Sequence, residues 1–110
     1  AGRGDRQGAI RWLDRELSVR PAAPDAVGAR CGYLREDRRP DRMDELARAA
    51  LALSPDDPTA WACRAAAALD RGDLPAARAA VDRALGVAPD HPLARSVAAA
   101  LAGATGGGPG

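Results

Sequence analysis

Residues able to do covalent or metal chemistry are few in this chain of 110 residues. It holds three serines, two threonines, one tyrosine and one histidine, His91, beside sixteen arginines and fifteen acids. A catalytic site needs a nucleophile with its base, a converging carboxylate pair or a metal set. No spacing in the sequence supplies one. Cys31 and Cys63 together with His91 fall short of a zinc site, and two cysteines are too few for the staple set of a small secreted scaffold. Their expected state is a pair of reduced thiols buried in helices, with a disulfide sensor as the alternative. His91, next to Asp90 at a helix junction, is expected to act as an N-cap or to face solvent. The glycines cluster only at the extreme C-terminus with no helix behind them, so no phosphate-cradling loop is formed. The expectation is therefore no enzyme, no cofactor and no metal.

Charge narrows the partners. With a net charge of +1 the chain projects no broad field toward nucleic acid or an anionic membrane. Trp12, Tyr33 and Trp61 form no stacking row for bases. The longest apolar runs, such as Ala65 to Leu69, are far short of the roughly 20 residues of a bilayer span, and no signal peptide opens the chain. A cytoplasmic protein with no nucleic-acid or membrane partner is expected. The run Arg35-Glu36-Asp37-Arg38-Arg39 with Arg42 has charge enough to hold a phosphate, but its own acids favour a solvated salt-bridge cluster.

The elements that would position these groups follow from an internal repeat. Pro21 and Pro24, Pro55 and Pro58, and Pro89 and Pro92 form three Pro-x-x-Pro units, each displaced from the last by one constant step. Leu17, Leu51 and Leu85 keep the same step, as do Val19, Leu53 and Val87. Proline lacks an amide donor and clashes with the preceding turn, so each unit marks the end of one helix and the start of the next. A polyproline ligand is excluded by the helix-repeat spacing. Pro40 and Pro75 fall midway through each period, where Gly72 supplies a turn and Asp73 a cap. Twenty-eight alanines favour helix. Apolar stripes recur at i, i+4, i+7 and i+8: Ala77, Val81, Ala84 and Leu85; Met43, Ala47, Ala50 and Leu51; Trp61, Ala65, Ala68 and Leu69. Val27, Cys31 and Leu34 are the earlier counterpart of the third set. Six helices are expected, near 5–20, 24–36, 40–54, 58–70, 74–88 and 92–102.

A helix–turn–helix unit of about 34 residues resembles the tetratricopeptide repeat (TPR). In the unit Pro58 to His91, Trp61, Gly72, Ala77, Ala84 and Pro89 stand at positions the family favours, while Leu74 and Val81 replace its usual aromatics. Arg64, Ala65 and Ala68 stand for its Leu-Gly pair and tyrosine. The unit Pro24 to Asp57 keeps Met43, Ala50 and Pro55 but has Val27 for the tryptophan. The resemblance implies an all-α fold, a right-handed solenoid of antiparallel helix pairs over residues 5–102, with full repeats at 24–57 and 58–91 and half repeats on both sides. Residues 1–4 are expected as a flexible start and 103–110 as a Gly-rich flexible tail. Arg3-Gly4-Asp5 lies two periods before Arg71-Gly72-Asp73, so both triplets are expected at turns, not as integrin-docking signals. The helix carrying Trp12, Leu13 and Leu17 then shows an uncovered apolar face. That face and the missing initiator methionine suggest an excerpt of a longer protein, and the codon bias implied by abundant Ala, Arg, Gly and Asp without Lys, Asn or Phe suggests a GC-rich bacterial source. Leu93, Val97 and Leu101, with Arg95 in the slot of Trp61, look like a capping helix.

In the TPR family the first helix of each pair lines a concave groove that receives a peptide or partner helix. By register the groove residues are Asp25, Ala29, Gly32, Arg35 and Glu36, then Thr59, Ala62, Cys63, Ala66 and Asp70. The family's clamp for chaperone-tail carboxylates is excluded, because it uses lysine and asparagine and the positions concerned carry Gly28, Ala29, Ala62 and Cys63. The expected function is a protein-interaction scaffold. Alternatives are a non-catalytic accessory segment of an enzyme or transcriptional regulator, and a homo-oligomerisation module acting through the uncovered first helix.

Overall fold

Proline placement dictates where the helices begin. A computed structural model describes residues 3–106 and contains six helices and no strand among them: α1 (Arg3–Val19), α2 (Pro24–Glu36), α3 (Pro40–Leu53), α4 (Pro58–Asp70), α5 (Leu74–Val87) and α6 (Pro92–Gly106). Pro24, Pro40, Pro58 and Pro92 are each the first residue of a helix and Pro75 the second of α5. In that first turn the missing N–H is no loss and the fixed φ is already helical.

Two ends depart from expectation. Arg3-Gly4-Asp5 belongs to α1, with Asp5 in its first turn, where a carboxylate favours the positive end of the helix. The second triplet does form a turn, with Gly72 at φ 81°. At the other end Gly103 to Gly106 continue α6 instead of opening the tail. Adding one residue to an existing Ala-rich helix forms a hydrogen bond without a new nucleus, which offsets the glycine cost of about 1 kcal/mol. Residues 1–2 and 107–110 of the expected flexible ends lie outside the described residues.

Helices touch only neighbours one or two places away in the chain. Among the described residues α1 meets α2 alone, α2 meets α3 and α4 besides, and α4 meets α2, α3, α5 and α6. The radius of gyration is 14.0 Å, against about 13 Å for a compact domain of this length. Between the helices lies one apolar cluster. Val27, Cys31, Leu34, Met43, Ala47, Ala50, Ala65, Ala68, Ala77, Val81, Ala84, Val97 and Leu101 are all buried, as their helical spacing predicts. Leu51, Trp61, Leu69 and Leu85 pack against it half-buried. No polar or charged residue is fully buried among the described residues, although Arg30 Nη1 is enclosed without a hydrogen-bond partner.

The repeated valines and leucine behave differently. Val19, Leu53 and Val87 keep the apolar step but end helices α1, α3 and α5 exposed, at 75%, 63% and 52%. The repeat thus carries an exposed apolar edge as well as a core.

Candidate functional site

The ten groove residues lie on α2 and α4, which stand side by side. Their closeness comes from small residues. A Cβ placed on Gly28 would lie 3.4 Å from Thr59 Cγ2, so even a methyl group at position 28 would touch α4 and a larger side chain would press on it. Cys31 and Cys63 are joined by a disulfide with a Cα–Cα distance of 6.1 Å, which corrects the expectation of two reduced thiols. Both cysteines sit on the facing sides of α2 and α4, near the middle of each helix, so the sulfurs meet. Arg35 Nε and Nη2 donate to Asp70 Oδ2 and Oδ1 at 3.1 and 3.2 Å, closing the same contact at its far end.

Asp25, Ala29, Gly32 and Glu36 lie toward the open side of α2, with Arg35 half-buried. On α4, Asp70 is exposed and Thr59 half-buried. Ala62, Cys63 and Ala66 are fully buried and offer a partner nothing, a second correction. The reason is that α4 is the central helix, flanked by four others, and its alanines let all of them approach closely. The accessible surface is therefore one-sided: two small residues on α2 where a backbone could come near, bordered by acids and by the Arg35–Asp70 pair.

Glu36 is not free within that border. Arg6 of α1 donates to Asp37 Oδ1 at 2.8 Å and to Glu36 Oε1 at 3.4 Å, and lies 5.0 Å from the Tyr33 ring centre. Burial works against the Arg6 charge, but the hydrogen bonds and attraction of Asp37 and Glu36 outweigh it and raise its pKa above the ordinary arginine value. Both acids of the charge run are thus taken by Arg6 of α1, and Asp41 by Arg71 in the turn after α4 at 3.0 Å. Salt bridging is present, but it joins helices and is not confined to the run.

Several relationships were not read from the sequence. Thr59 Oγ1 meets His91 Nε2 at 3.0 Å, while His91 Nδ1 lies 3.4 Å from the Ala94 amide and accepts from it. His91 is therefore an N-cap, in the tautomer with its proton on Nε2, and it ties α6 to α4 through Thr59. The N-cap is one of the two roles expected of His91, which stands one period after Asp57 and two after Ala23 at the same helix-start position, and only its contact with Thr59 was not read. Trp61 donates from Nε1 to the Pro55 carbonyl at 2.7 Å between Arg83 and Arg64, whose guanidinium carbons lie 4.7 and 5.7 Å from its ring. No helix among the described residues is long and apolar enough to cross a membrane. Among those residues no group of three His, Cys, Asp or Glu side chains is placed to hold a metal ion. No family model matches the chain, and no curated protein or solved structure matches it either.

Proposed function

We propose that this chain is a TPR-like solenoid segment, a right-handed stack of antiparallel helix pairs, that serves as a protein-interaction scaffold. The observation that supports the reading is the contact pattern: α4 meets both α2 and α6, and among the described residues no helix meets one more than two places away in the chain. An arrangement of that kind supplies a continuous face without convergent chemistry, and such faces receive extended peptides or partner helices. On α2 the receiving residues are Asp25, Ala29 and Gly32, with Arg35 and Asp70 at the edge. Affinity rests on shape and flanking charge, with the exposed Trp12 of α1 lining the same cleft as Asp25 and Ala29 as an aromatic anchor.

Photo-crosslinking amino acids placed singly at Ala29, at Gly32 and at Arg48 on α3, in cells that make the protein, test the reading. A specific adduct from Ala29 and Gly32 but not from Arg48 is expected. Equal labelling from all three, or labelling from Arg48 alone, overturns the groove.

A second reading, self-association through α1, is favoured by one observation. Trp12 is 62% exposed and borders a cleft of about 450 Å³ with Leu13, Ala26 and Ala29. Light scattering over a concentration series should then show a dimer that Trp12→Ser abolishes. A monomer throughout removes this reading.

A further inference from the structure

We infer that the Cys31–Cys63 bond is a redox latch that holds the α1–α2 hairpin onto the rest of the molecule. The inference concerns the joint itself and does not rest on the partner proposed above. Among the described residues α1 touches α2 alone, so the hairpin is attached only through α2's contacts with α3 and α4. Those contacts are sparse. The buried side chains of α2 are Ala26, Val27, Cys31 and Leu34, while α4 buries seven residues. Unlike α4 and α5, α2 has no side chain capping its first turn. Arg35–Asp70 lies partly in solvent, where such a pair holds little. The covalent bond therefore sits across a joint with less other support than α4 has to α3 and α5.

Closing the latch oxidises two thiols to one disulfide, with two protons released. The two electrons pass to a small-molecule disulfide, which takes up those protons and leaves as two thiols. A reducing thiol pool runs the same exchange backwards. Both sulfurs are buried, at 1% and 0% exposure for their residues, so exchange requires the hairpin to part from α4 first. In the disulfide form Cys63 Sγ lies 3.6 Å from the Met43 carbonyl oxygen, so a thiol freed there by reduction can donate to it and leave α3 and α4 paired. Cys31 has no comparable acceptor among the described residues. Reduction should thus loosen one side of the joint and spare the other.

Hydrogen exchange read by mass spectrometry, on the full chain with and without a phosphine reductant, tests this. Intact mass first checks the oxidised sample, which must be lighter by two hydrogens; free thiols there, under air and without reductant, overturn the inference. On reduction, amides of α1 and α2 should exchange faster by roughly 500-fold at most, the scale set by losing a crosslink that closes a loop of this length. Those of α4 and α5 should stay within about twofold. The double variant Cys31→Ala/Cys63→Ala should reproduce the reduced pattern without reductant and ignore its addition. Acceleration spread evenly over all helices would make the bond a general staple, and no acceleration would make it idle; either result refutes a latch. Should the double variant fail to fold, the wild-type comparison still decides, because it uses one sequence in two redox states.

Discussion

Arg35, in the last turn of α2, holds Asp70, the final residue of α4, through two hydrogen bonds of 3.1 and 3.2 Å. An aspartate at a helix C-terminus faces the negative end of the macrodipole and is out of place there. The forked guanidinium compensates for it, and the bidentate geometry fixes the lateral position of one helix against the other. Their side chains keep 33% and 28% exposure, so solvent screens the pair.

The first prediction concerns that pair. A double-mutant cycle with Arg35→Ala and Asp70→Ala, read by urea unfolding, should give a coupling of about 0.5–1 kcal/mol that shrinks in high salt. Coupling that is absent at low salt would show that the fork does not form in solution.

Trp61 carries a larger share of stability. Its ring packs against the core half-buried, its Nε1 reaches the Pro55 carbonyl at 2.7 Å, and two arginines flank its faces. Trp61→Phe should cost about 1 kcal/mol, since an aromatic ring remains and the donated hydrogen bond is lost. Trp61→Ala should cost roughly 2–4 kcal/mol, below the loss for a fully enclosed tryptophan. Thermal denaturation of the two variants separates these terms. Equal losses would mean that the ring itself contributes nothing and that only the link to the α3–α4 turn matters.

Helix starts offer a test in both directions. Asp57 caps α4 by accepting from the Thr59 and Ala60 amides at 2.9 and 3.4 Å. Ala23 occupies the equivalent place before α2 with nearly the same backbone, φ −60° and ψ 111° against φ −67° and ψ 112°, but no acceptor. Asp57→Ala should therefore lose about 1 kcal/mol and Ala23→Asp gain about 0.5–1 kcal/mol. Melting curves followed by circular dichroism measure both, and an Ala23→Asp variant less stable than the parent would show that the two helix starts differ in solution.

Much of the fold was legible because its signals are local. Proline fixes φ and deletes a donor wherever it stands, so Pro24, Pro40, Pro58 and Pro92 marked helix starts without reference to tertiary contacts. The stripe of Met43, Ala47 and Ala50 was buried as its helical period implies. Lateral relationships were harder to read. The repeat period aligns Ala29 with Cys63, yet Cys31 is the residue that bonds it, at a sequence separation of 32. That offset records how far α4 is displaced along α2, a quantity fixed by packing and not written in either helix. The same closeness of alanine-rich helices buried Ala62, Cys63 and Ala66, which register alone placed in the groove. Val19, Leu53 and Val87 show the converse: matched spacing identifies equivalent positions, and only neighbours decide whether those positions are covered.

Equivalent positions that differ in chemistry also expose strain. Arg38, between α2 and α3, has φ 57°, and Gly72, one full period later between α4 and α5, has φ 81°. A Cβ in the left-handed region crowds the following carbonyl at a cost of roughly 1–2 kcal/mol, which glycine avoids. Glycine also has more conformations to lose on folding, so the net gain from Arg38→Gly should be smaller, about 0.5–1 kcal/mol. Gly72→Ala should cost about 1 kcal/mol, all of it in the backbone, because nothing lies within 4 Å of the added Cβ. Urea unfolding of the two variants should move in opposite directions. If Arg38→Gly destabilises, then its side chain contributes more than the strained backbone costs, and the turn after α2 is held by contacts of Arg38 and not by its conformation alone.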